Sequence, residues 1–267
     1  MQPRMEQRPS CAHRKFAGTI LLLSLPPILA AAPPPINNRP IIGILTNPND
    51  EPVPDYDSVP GYFAASYVKW LEMAGARVVP IPFERPAAVK ELLPFINGVL
   101  FTGGDANFTF PNGTLTQLAR TGQLIFDEVI ASSARGEIWP LWGTCQGFHL
   151  IAFLASGLNA STAEYGYDSE NISLPLSFTA EAQHSELFGP MPPAVLDILS
   201  SQPVTMNAHH YGVSPANFER GLADRFTALS TNVDRQGRPF VSSMEGFKAP
   251  HRLPVMATQY REWRAWL

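Results

Sequence analysis

The chain has 267 residues, 45% of them hydrophobic and only 16% charged, with a formal net charge of −4. That size suits one α/β domain of ordinary dimensions or two small ones. The charge balance lacks the basic footprint that nucleic-acid binding requires, so that class is set aside. Its 27 prolines are scattered in turns and near the termini, without an internal repeat or a heptad run.

In chain order the N-terminus comes first. Arg4, Arg8, Arg14 and Lys15 precede an apolar run, Phe16 to Ala32, which closes on Ala30-Ala31-Ala32. A basic start, a short apolar middle and a small-residue end predict a secretory signal peptide over residues 1–32. The competing reading is an uncleaved anchor, and Pro26 and Pro27 inside the run disfavour it. No later stretch reaches the roughly 18 apolar residues that span a bilayer, so no membrane attachment is expected after cleavage.

From Pro40 strands and helices alternate. Pro40 to Thr46 is the continuous apolar run of a buried parallel strand, followed by a polar, proline-rich loop from Asn47 to Pro60. Tyr62 to Ala74 predicts a helix closed by Gly75, and Arg77 to Ile81 a second strand. Pro86 to Leu93 is a short helix, and Gly98 to Phe101 a third strand ending in Thr102-Gly103-Gly104. A helix over Leu115 to Ser132, a strand over Ile138 to Trp142 and a helix from Gln146 to Leu154 follow. This alternation argues for a parallel sheet with helices on both faces.

Beyond Ser156 the pattern loosens. Ser173–Phe178, Phe226–Ser230, Phe240–Glu245 and Val255–Gln259 read as strands, partly in hairpins, with one helix over Pro193–Ser200. The expected architecture is one α/β domain over residues 39–267, mainly parallel, with a partly antiparallel C-terminal part.

The chemistry concentrates at one thiol. Cys11 lies in the segment expected to be removed, leaving Cys145 alone and no intramolecular disulfide possible. Gly143-Thr144-Cys145-Gln146-Gly147 falls where a strand passes into a helix. This is the nucleophile-elbow pattern with cysteine in place of serine. A helix N-terminus favours thiolate over thiol, and the Gln146 N–H points where an oxyanion would develop. The glycines after the neighbouring strand offer a second amide. The competing reading is an inert buried cysteine in a glycine-rich turn. No His, Cys or carboxylate cluster has metal-ligand spacing, and no phosphate loop appears, so neither metal nor cofactor is expected. Sequons at Asn107, Asn112, Asn159 and Asn171 agree with a secretory route and predict surface positions.

Several segments together resemble the γ-glutamyl hydrolases, which have the class I glutamine amidotransferase fold. They are Arg39 to Leu45, Ala64 to Lys69, Ala74 to Pro80, Ile96 to Phe101, Trp142 to Cys145 and Ser243 to Lys248. The resemblance runs from about Arg39 to Tyr260. It implies cleavage of γ-glutamyl bonds in poly-γ-glutamyl folates, in lysosomes, vacuoles or the extracellular space. It makes Cys145 the nucleophile, Gly104 and Gln146 the oxyanion-hole amides, and His209 and Tyr62 substrate contacts. It leaves a homodimer open.

The chain also departs from that family. A family glutamate four residues after the cysteine is His149 here, which on its own reads as a helix-surface or half-buried histidine. His209-His210 reads equally well as a surface pair. The family's catalytic histidine follows the last strand, where this chain has Gln259-Tyr260-Arg261, and the C-terminal end reads as truncated or altered. Arginine does not release a proton near neutrality, although its charge suits a neighbouring thiolate. Two alternatives therefore stand beside hydrolysis: an impaired γ-glutamyl-binding protein, and the partner-dependent glutaminase of an amidotransferase.

Overall fold

Ile41–Leu45 (β1) lies second from one edge of an eight-stranded sheet in a computed structural model that describes residues 37–49, 61–246 and 253–261. The expected signal peptide over 1–32, most of the loop after Asn47 and the tail beyond Arg261 lie outside the described residues. Asn47–Pro48 (β2) and Gly61–Tyr62 (β3) pair as a small antiparallel ribbon. Then come Ala65–Met73 (α1), Arg77–Ile81 (β4), Pro86–Leu92 (α2), Gly98–Phe101 (β5), Gln117–Ala134 (α3), Leu141–Thr144 (β6) and Gln146–Ala155 (α4).

The second half holds Glu164–Leu174 (β7), Ser177–Phe178 (β8), Pro193–Ser201 (α5), Thr205–Gly212 (β9) and Pro215–Gly221 (α6). Phe226–Val233 (β10), Pro239–Gly246 (β11) and Val255–Thr258 (β12) complete it. The sheet order is β4-β1-β5-β6-β12-β11-β10-β8. The first five strands are parallel, and β11, β10 and β8 continue the sheet antiparallel. Strands β7 and β9 leave the main sheet and form their own antiparallel ribbon.

Both faces of the parallel strands are covered, which is why these strands are apolar without alternation. On one face Phe101, Phe148, Ile125 and Ile151 pack between sheet, α3 and α4. On the other, Ile44, Leu100 and Tyr67 meet Trp70 and Trp142, whose rings stand edge to face at 5.5 Å. Each such buried side chain contributes about 1.5–3 kcal/mol. Helix α4 is buried at every position, so it is apolar all round rather than amphipathic.

Three expectations need correction. Strand β6 begins at Leu141, not Ile138, because Pro140 has no N–H for the ladder; its carbonyl accepts from Val99 N instead, and Ile138 is exposed. The strand expected at Ser173–Phe178 is the end of the much longer β7 plus the short β8. Strand β9 and helix α6 are additions to the expected set. Ribbon and sheet are tied by the Asp234 carboxylate, which accepts from the N–H groups of Asp168, Gln236 and Arg238 at 2.8–2.9 Å.

Candidate active site

Strand β6 turns directly into α4 at Cys145, whose backbone is left-handed with φ 54° and ψ −106°. A non-glycine residue in that conformation costs of order 1–3 kcal/mol and is held only where its surroundings over-determine it. Here Cys145 N donates to Thr258 O at 2.8 Å and Gly147 N to Thr102 O at 3.0 Å. The flanking glycines are obligatory. A Cβ on Gly143 would sit 2.6 Å from the Gly147 carbonyl oxygen, and one on Gly147 would land on the Phe101 carbonyl. Cys145 is buried, with a free thiol.

The loop after β5 faces the elbow from the neighbouring strand end. Asn47, the first residue of β2, donates to Thr102 Oγ1 at 3.0 Å and to the Gly103 carbonyl at 2.9 Å. Tyr67 of α1 accepts from Gly103 N at 2.8 Å, and Gln146 Nε2 donates to the Ala106 carbonyl at 2.7 Å. These bonds fix the glycine loop against the first turn of α4. Among the described residues, neither Gly104 N nor Gln146 N donates a hydrogen bond. A helix's first amides lack an intrahelical acceptor, which leaves Gln146 N open.

Cys145, Gly104 and Gln146 line a cavity of about 680 Å³ that opens to solvent. Arg261, three residues past β12, forms a bridge to Met206 of β9 and brings its half-buried guanidinium beside Cys145. Burial opposes its charge, but the adjacent Cys145 side chain more than offsets that, so its pKa is raised. Gly103 keeps this corner open, since a Cβ there would lie 3.3 Å from Cys145 Cβ and 3.7 Å from Arg261 Nε.

Two histidines also line the cavity. His209 is 6% exposed; its Nδ1 lies 2.7 Å from the Tyr211 carbonyl and its Nε2 3.2 Å from Asn207 Oδ1. His149, one turn into α4, is 8% exposed. Burial lowers both pKa values, that of His149 to about 3 and that of His209 to about 4; the neighbouring His209 adds to the shift at His149, and the Tyr211 backbone carbonyl opposes both shifts. Both imidazoles are therefore neutral at ordinary pH.

The expected residues thus converge: Cys145, Gly104, Gln146, His209 and the half-exposed Tyr62 all border one cavity. His149 is fully internal rather than on a helix surface, and of the histidine pair only His210 is exposed. Sequence reasoning did not single out Tyr67 or Asn47. A tyrosine in a helix and an asparagine after a strand carry no local signal of the loop they hold. All four sequon asparagines are exposed, and Asn107 and Asn159 stand on the cavity rim. Among the described residues, no group of three or more His, Cys, Asp or Glu is placed to hold a metal.

An elbow thiol at the carboxyl edge of a mainly parallel sheet is the arrangement of a cysteine hydrolase. The peptidase C26 family model matches residues 40–230, and the chain belongs to that family. It is 41% identical over 207 residues to the γ-glutamyl hydrolase of Mus musculus, covering 76% of this chain and 61% of that protein. It is 37% identical over 219 residues to γ-glutamyl hydrolase B of Dictyostelium discoideum, covering 80% and 61%. With the Homo sapiens γ-glutamyl hydrolase it shares 37% over 216 residues, covering 79% and 64%. The chain thus spans less than two thirds of the length of these relatives. A glutamine amidotransferase of Thermotoga maritima shares the fold, with a TM-score of 0.51 at 10% identity, covering 85% of this chain and 76% of that one.

Proposed function

We propose that the chain hydrolyses γ-glutamyl bonds, with poly-γ-glutamyl folates as its substrate class and Cys145 as nucleophile. The observation that carries this is the strained elbow thiol beside a fixed cation, in a family whose named relatives are γ-glutamyl hydrolases. The Cys145 thiolate attacks the γ-carbonyl carbon, and the oxyanion that forms is held by the amides of Gly104 and Gln146. The C–N bond breaks, the departing amine takes a proton from water, and a thioester remains. Water then attacks the thioester, the C–S bond breaks, and the γ-carboxylate leaves while the thiolate is restored.

The Arg261 guanidinium stands beside Cys145 but does not give up a proton near neutrality, so proton transfer falls to solvent in the open cavity. His209 borders the bound substrate with its ring fixed between Asn207 and Tyr211, and Tyr62 stands at the mouth. The non-catalytic alternative draws no support from the comparisons, and the likeness to an amidotransferase is one of fold alone. Among the described residues no helix is long and apolar enough to cross a membrane. We infer a secreted, lysosomal or vacuolar protein, glycosylated at Asn107, Asn112, Asn159 and Asn171, acting from one domain over residues 39–267. Its route is supported by the basic-then-apolar N-terminus, and assembly as a homodimer stays with the same proposal.

The test is glutamate release from a poly-γ-glutamyl folate. Release that disappears in Cys145→Ala with the fold retained supports the reading; release that persists in the variant contradicts it.

A further inference from the structure

The resemblance to the γ-glutamyl hydrolases puts a histidine where this chain has Arg261, and a guanidinium in that place does not move protons near neutrality. Its position is set by the backbone, since Arg261 N donates to the Met206 carbonyl at 2.8 Å. The sheet order places β12 on one side of β6 and β5 on the other. Arg261, beyond β12, and the Gly103-Gly104 loop, beyond β5, thus reach Cys145 from opposite neighbours of its strand. The guanidinium is half-buried beside Cys145, and its Nε is buried without a hydrogen-bond partner. Among the described residues Arg261 forms no ion pair. Glu170, an exposed carboxylate on the cavity, acts on it from beyond ion-pair contact.

Among the described residues Arg261 is also the only lysine or arginine lining this cavity, where His149 and His209 are neutral. A γ-linked glutamate chain keeps a free α-carboxylate on every residue, so a polyanion enters a site that offers one cation. A guanidinium meets a carboxylate with two parallel N–H donors, and a partly buried cation without a counter-charge gains most from acquiring one. Two α-carboxylates flank the bond that breaks. That of the departing residue is two bonds from the leaving nitrogen, whereas that of the acyl residue is four bonds from the carbonyl carbon. A cation adjacent to the attacking sulfur is therefore in reach of the first.

Resting on the γ-glutamyl reading of the site, we propose that Arg261 is a specificity-determining residue that grips the α-carboxylate of the departing glutamate. The chain accordingly selects γ-glutamyl bonds whose leaving amine carries an adjacent carboxylate over γ-glutamyl amides of uncharged amines.

The test is titration calorimetry with three ligands on the full chain carrying Cys145→Ala, which binds without turnover. They are γ-glutamyl-glutamate, γ-glutamyl-isoglutamine, in which the second α-carboxylate is an amide, and 4-aminobutanoyl-glutamate, which lacks the first. Removing the sulfur changes the surroundings of Arg261 alike for all three, so the comparison is between ligands. The expected result is binding of γ-glutamyl-isoglutamine weaker than that of γ-glutamyl-glutamate by about tenfold or more, the worth of a hydrogen bond to a charged group. Adding Arg261→Gln or Arg261→Met should weaken γ-glutamyl-glutamate and 4-aminobutanoyl-glutamate by that same factor and leave γ-glutamyl-isoglutamine little changed. Equal binding of γ-glutamyl-glutamate and γ-glutamyl-isoglutamine, or a difference that survives in both Arg261 variants, would overturn the role of Arg261. An effect of Arg261 that vanishes with 4-aminobutanoyl-glutamate would overturn it too, by placing the guanidinium on the acyl residue. Each of these results would leave the γ-glutamyl reading intact. Failure of γ-glutamyl-glutamate to bind would overturn that reading, and this inference with it.

Discussion

At the scale of single residues the elbow is the most demanding position in the chain. Gly147 approaches the Phe101 backbone so closely that no side chain fits, and neither partner can move, since both belong to buried elements. Gly147→Ala is expected to lower stability by about 2–4 kcal/mol, within the range of severe overpacking, and to remove most activity. A denaturation midpoint unchanged from that of the parent would contradict this. Arg261 makes the opposite kind of prediction. It supplies charge but no proton, so Arg261→His should raise kcat by about 10²-fold, the lower end of what a positioned acid–base group contributes. Equal or lower kcat in a folded variant would show that the guanidinium is needed where it stands. The elbow was legible in the sequence because Gly-x-Cys-x-Gly encodes a local backbone shape. The partners of the glycine loop were not, because Asn47 and Tyr67 act across 55 and 36 residues of sequence.

At the scale of elements, legibility follows what each strand buries. Strands β1, β4 and β5 were readable from their aliphatic runs. Strand β9 alternates instead, and it turns Thr205, Asn207 and His209 inward, so no hydrophobic pattern marks it. The ribbon of β7 and β9 was therefore missed in part, although it carries a whole wall of the site. Part of its inward polar surface is tied together locally: Asn207 Nδ2 donates to the Thr205 carbonyl at 3.0 Å and its Oδ1 lies 3.2 Å from His209 Nε2. Asn207→Ala should cost about 1–3 kcal/mol and free the His209 ring. Substrate KM is then expected to rise several-fold with kcat little changed. Loss of stability with KM unchanged would make Asn207 a purely structural residue.

At the scale of the whole molecule, two neutral histidines inside one cavity couple stability to pH. Unfolded histidines titrate near 6.5, whereas His149 and His209 are held at about 3 and about 4. As pH falls, the unfolded state takes up protons that the folded state refuses. Stability from keeping the rings neutral is fully present above about pH 6.5 and is lost as pH falls toward the folded values. Glu245, whose carboxyl is pushed up by burial, acts in the opposite sense over its own range. The unfolding free energy measured from pH 7 to pH 4 is expected to fall by on the order of a few kcal/mol, less steeply in His149→Leu. A flat profile would contradict the burial of these rings.

The central claim is covalent, and it is tested most directly by trapping the acyl-enzyme. The protein is mixed with a poly-γ-glutamyl folate, quenched in acid, and the peptide containing Cys145 is weighed by mass spectrometry. The account predicts a mass gain equal to the acyl half of the substrate on Cys145, absent in Cys145→Ala. Turnover with no such adduct at any time point, or an adduct on another residue, would contradict it.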